Sequence, residues 1–143
     1  MDAKRIFGFL LMVVVLLSIA NADTISLTAP ANDSSVKQGS TTAITVQIKR
    51  EGMISFNQAT VTVVDTDTQQ AIETVLTATS SDLDPKKNKN SLTKNWVVDP
   101  AKYEAGKSYT ITLTGEGTYY NPKDDTKENV ALTGDTVDVT VTA

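Results

Sequence analysis

The sequence predicts an all-β chain, an antiparallel immunoglobulin-like or fibronectin-type β-sandwich of about seven strands. Three observations carry that expectation. Apolar residues recur at every second position in short runs, the period at which a pleated strand turns one face inward. Thr and other β-branched residues fill those runs, and their stiff Cβ atoms suit a half-buried pleated surface better than a helix. Turn-forming Gly, Pro, Asn and Asp separate the runs at roughly the 8–12-residue spacing of a sandwich with Greek-key connections.

Each strand can be justified in turn. Ile25 and Leu27 alternate ahead of Pro30, and the polar stretches Pro30–Ser35 and Gln38–Ser40 read as the turn that follows. Ile44, Val46 and Ile48 alternate with Thr45, Gln47 and Lys49, and Gly52 closes that run. Val61 and Val63 follow Phe56, with Val64 breaking strict alternation. Asp65-Thr-Asp-Thr68 reads as a hairpin tip, after which Ile72, Thr74, Leu76 and Ala78 form another face. Asp82–Asn90 is a polar crossing, too rich in Asn, Asp and Lys to be core. Leu92, Trp96 and Val98 share parity, then Tyr109, Ile111 and Leu113, and last Val137, Val139 and Val141. The longest connection, Gly115 to Asp135, reads as a loop with room for a short strand near Glu128–Leu132. Only Pro100–Glu104 has the makings of a helical turn.

Residues 1–22 stand apart from the fold. Lys4 and Arg5 precede an apolar core from Ile6 to Ile19, and Ala20-Asn-Ala22 supplies the small-x-small pattern of signal-peptidase cleavage. The apolar stretch falls short of the roughly 20 residues that cross a bilayer. The expectation is cleavage between Ala22 and Asp23, leaving one domain at 23–143. Loss of Asp2, Lys4 and Arg5 takes the net charge from −4 to −5. An acidic secreted domain is repelled by nucleic acid and by anionic lipid, so neither is an expected partner, and no membrane association is expected after cleavage. The ending Val137–Ala143 lacks the spacer and hydrophobic tail of a GPI signal, so the expected product is secreted, to the extracellular space or the cell wall.

The chain has no cysteine and no histidine. That removes disulfide frameworks, thiolate nucleophiles, His-based triads and the usual zinc and haem sites. No cofactor, no metal and no catalytic residue is expected, and the chain reads as a non-enzyme. Stability then has to come from an apolar core.

Several segments resemble a known family. Ile25-Ser-Leu-Thr-Ala-Pro30, then Ser35-Val-Lys-Gln-Gly39-Ser-Thr-Thr-Ala-Ile44-Thr-Val46, resembles the opening of the fungal KRE/KNH-type cell-wall-synthesis domain, which also occurs in Ser/Thr-rich GPI-anchored wall proteins. Asn95-Trp-Val-Val-Asp-Pro100 and Gly106-Lys-Ser-Tyr-Thr-Ile-Thr-Leu113 are similar to its middle, while Val46 stands where the family usually has Trp. The resemblance implies a role in β-1,6-glucan assembly and wall organisation. It transfers no catalytic residue.

The remaining candidates have two readings each. Asp65 with Asp67, and Asp82 with Asp84, place carboxylates two apart, as calcium ligands or as turn-forming residues that bond their own backbone. Tyr119-Tyr120, ahead of Asn121-Pro122, are the candidate carbohydrate contact, since sugar rings present flat apolar faces; packing over the core edge is the other account. Trp96 reads as core, and Tyr103 and Tyr109 flank a corner where a tyrosine hydroxyl can bond nearby backbone. Lys86, Lys87 and Lys89 are a solvated loop, a dibasic processing site or an anionic-polymer contact. Asn32-Asp-Ser34 is an N-glycosylation sequon in a turn. The leading expectation is therefore a secreted domain that binds cell-wall polysaccharide or an extracellular protein by surface contact. The alternative is a small effector or ligand with a host or partner protein as its target.

Overall fold

The computed structural model describes residues 24–49 and 52–143. The leader and its cleavage point between Ala22 and Asp23 lie outside the described residues. The described residues form eight strands: β1 (Thr24–Ala29), β2 (Ser34–Lys37), β3 (Thr41–Lys49), β4 (Ser55–Asp65), β5 (Ala71–Thr79), β6 (Ser91–Val97), β7 (Ser108–Asn121) and β8 (Thr126–Thr142). A 3-10 turn at Pro85–Lys87 lies between β5 and β6. The protein is all-β.

The strands run in the order β5-β4-β7-β8-β1-β3-β6, with β2 added in parallel along the end of β8. Antiparallel pairing builds β5-β4-β7-β8 on one side and β1-β3-β6 on the other. The two sets meet at one parallel pairing, Thr24 opposite Thr133, so the sheet curls into a nearly closed, barrel-like wrap that ends at β5 and β6, with β2 as a further edge strand. Asp135 reinforces that junction, because its Oδ2 accepts the Leu27 N–H at 2.8 Å where β1 bulges away from regular pairing. Alternation then fills the interior. Ile44, Val46, Val61, Val63, Ile111, Leu113, Val139 and Val141 are buried in one continuous core.

All seven predicted strands form, and the departures have local causes. The eighth strand, β2, lies in the polar stretch read as a turn; Val36 alone of its four residues is buried, too short a signal for period-two reading. Thr74 faces solvent, although it shares parity with Ile72 and Leu76, because pairing with β4 slips by one residue between Val61 and Thr62. The Gly115–Asp135 connection is no loop. Its residues extend β7 to Asn121 and start β8 at Thr126; Gly115–Thr118 still pair with β4, and beyond them a short two-stranded ribbon runs from Tyr119 to Glu128.

Candidate functional site

The ribbon carries the two candidate tyrosines, and their placement corrects the loop assignment. Tyr119 and Tyr120 lie on β7, opposite Glu128 and Lys127 of β8. Strand alternation sends neighbours to opposite faces. Tyr119 is half-buried and packs against the core, whereas Tyr120 is 52% exposed. A cleft of about 420 Å³ opens here, lined by Tyr119, Tyr120, Asn121, Pro122, Glu128 and Val130, with Lys123 at its margin. The Tyr120 hydroxyl donates to Asp125 Oδ1 at 2.6 Å, which holds the ring in place and raises its hydroxyl above the ordinary tyrosine range. Asn121 Nδ2 donates to Glu128 Oε1 at 2.8 Å and to Asp124 Oδ2 at 3.2 Å. The result is an aromatic ledge edged by amide, carboxylate and ammonium groups. A larger depression of about 610 Å³ lies between Thr24, Ser26, Gln47, Lys49 and Asn90, and no aromatic residue lines it.

Trp96 is core. It is 2% exposed and stacks edge-on against Tyr103 (centroids 5.1 Å apart), which stacks edge-on against Tyr109 at 5.0 Å. Tyr109 is the corner residue, for its hydroxyl accepts the backbone N–H of Glu104 at 2.9 Å. Tyr103 reaches across instead, donating to Glu73 Oε1 at 2.6 Å, while Lys102 Nζ meets Glu73 Oε2 at 2.9 Å. Burial opposes ionisation of Glu73, but the Tyr103 hydroxyl and Lys102 outweigh it and hold the carboxyl below its usual range. The Trp96 indole adds a smaller pull from outside hydrogen-bonding geometry. Burial, and then the Glu73 carboxylate, push the Tyr103 hydroxyl far above the usual tyrosine range. These side chains latch β5 to the segment after β6, where backbone pairing is missing.

The aspartates spend their oxygens on turns. Asp65 Oδ1 accepts the Asp67 and Thr68 N–H groups, and Oδ2 meets Lys107 Nζ at 3.1 Å; the Thr68 N–H and then Lys107 lower its pKa. Asp82 accepts from the Thr79 backbone N–H, the main cause of its lowered pKa, and from the Thr79 hydroxyl. Asp84 caps the 3-10 turn through Lys86 N. Asp67 is exposed at the hairpin tip. Among the described residues no group of three or more His, Cys, Asp or Glu is placed to hold a metal ion. Lys86, Lys87 and Lys89 are exposed; Lys87 lies 3.8 Å from Asp84, and Lys89 bonds the Ser81 carbonyl. Asn32 is exposed, and its Oδ1 accepts the Asp138 N–H at 2.9 Å.

Sequence reasoning picked out the two tyrosines but missed Glu128 and Val130, which line the cleft, and Asp125, which holds the Tyr120 hydroxyl. The signal that could have found them is the alternating Glu128–Leu132 segment, read as pairing with Gly115–Tyr120. No family model matches the chain. No curated protein matches it either. Among solved structures it is similar to the fibronectin(III)-like modules of CbhA from Clostridium thermocellum, with 18% identity, 84% of this chain and 46% of that chain covered, and a TM-score of 0.47. The chain spans less than half the length of that neighbour.

Proposed function

We propose that this chain is a secreted, non-catalytic domain of immunoglobulin-like build that acts by surface contact at the cell wall or in the extracellular matrix. Its ligand is a neutral wall polysaccharide, and its role is in β-glucan wall organisation. The observation that carries the reading is the ledge at the ribbon's end. Tyr120 presents an exposed ring fixed by Asp125, and Asn121, Lys123 and Glu128 offer donors and acceptors beside it. An apolar floor with a few convergent polar groups suits a sugar ring, whose C–H face stacks while its hydroxyls bond the rim. Export rests on the leader at 1–22. The non-enzymatic reading is supported by the lack of His and Cys and by the turn and latch duties of Asp65, Asp82, Asp84 and Glu73.

Pull-down on insoluble β-glucan and on chitin tests it. The 23–143 chain is retained on at least one of them, and Tyr120→Ala releases it. Equal retention of the variant, or passage of the parent protein through both, overturns the reading.

A second reading has its own observation. Val97 is 58% exposed at the end of β6, a strand with one free edge, and such an edge can accept a strand from a partner. A nanomolar protein partner displaced by Val97→Lys, with no polysaccharide retained, is the outcome that favours an effector or ligand.

A further inference from the structure

Ser34 holds a hydroxyl that the fold does not use. Its Oγ is buried and has no hydrogen-bond partner in the protein. Such a group costs more than an alanine would at the same place, so its presence asks for a use outside the folded state. Ser34 is the third residue of Asn32-Asp-Ser34, the chain's one Asn-x-Ser/Thr sequence with x other than Pro. Asn32 itself sits in an exposed turn with its amide oriented. The Oδ1 accepts the Asp138 N–H at 2.9 Å, while Nδ2 makes one long contact, 3.3 Å, to Asp33 Oδ2. An amide nitrogen carries two hydrogens. Replacing one of them leaves the other for Asp33 and leaves the Oδ1 bond intact.

We propose that Asn32 is an N-glycosylation site whose Ser34 hydroxyl is read in the unfolded chain and then buried. The inference rests on the export reading, because transfer takes place in a secretory lumen. The donor is an oligosaccharide linked to a lipid pyrophosphate. A bond forms between Asn32 Nδ2 and the sugar C1, the C1–O bond to the pyrophosphate breaks with its electron pair, and Nδ2 loses one proton. The glycan then stands beside β2, which pairs only with β8 and leaves its other edge open. A bulky, solvated group there blocks edge-to-edge association.

The experiment expresses the full chain, leader included, in a yeast secretory host. The protein in the medium runs as a heavier species, and peptide-N-glycosidase collapses it while leaving aspartate at position 32, read by mass spectrometry. Ser34→Ala removes the sequon and no side-chain hydrogen bond of the fold, so it is secreted in full, lacks the heavier species and melts no lower than the unglycosylated parent. Secreted parent protein without the mass shift overturns this inference alone. Recovery of the chain only from the cytosol overturns it together with the export reading.

Discussion

Tyr109 shows how one atom ties a corner. Its ring belongs to the Trp96–Tyr103–Tyr109 stack, and its hydroxyl accepts the Glu104 N–H five residues upstream. Tyr109→Phe keeps the stack and frees that N–H, so denaturant titration is expected to show a loss of about 1–2 kcal/mol with an unchanged near-UV signal. No loss would mean that the stack alone holds the corner. These aromatics were legible in the sequence, because Trp96 and Tyr109 share the parity of apolar neighbours. Glu73 was not. Nothing in Ile72-Glu-Thr74 announces that its carboxylate will meet Tyr103 thirty residues later, since that contact depends on how two strand edges approach each other.

At the scale of elements, β8 is the piece that joins the others. It pairs with β7 along most of its length, with β1 at Thr133 and with β2 at its end. To serve all three it bends, and the bend falls where pairing with β7 slips between Leu113 and Gly115. Gly134 lies there against the Leu113 carbonyl oxygen, and an added Cβ would run into that backbone atom, which cannot step aside. Gly134→Ala is expected to cost about 2–3 kcal/mol, read as a lowered urea midpoint, whereas a surface substitution usually stays within about 0.5 kcal/mol. Regular strands were legible because period two survives in Ile44–Ile48 or Tyr109–Leu113. The ribbon was not, for Gly115, Gly117 and Gly134 interrupt the apolar alternation where the Ile25 side chain, the Met53 side chain and the Leu113 carbonyl, respectively, take the space of a Cβ. The tyrosines were therefore found as residues but misplaced as an element.

For the whole molecule, the absence of histidine sets the response to pH. Asp65, Asp82 and Glu73 have lowered pKa values, so each adds stability that is complete above its ordinary value, 3.8 for the aspartates and 4.5 for Glu73, and is lost as pH falls through the lowered one. Lys102 and Lys107 are raised by Glu73 and Asp65, so their contribution is complete below 10.5 and is lost as pH rises through the raised values. Urea midpoints should therefore be flat from about pH 5 to about pH 10 and fall on either side. An inflection near neutrality would contradict this assignment.

The position of β8 has a further consequence for synthesis. The strand with which β7, β1 and β2 all pair is the last of the eight described strands to be synthesised, and until it arrives β7 lacks one flank and no strand lies between β7 and β1. A nascent polypeptide of this kind has no finished body while that strand is missing. It stays pliable through most of its synthesis, and the wrap locks only when the final pairing is made.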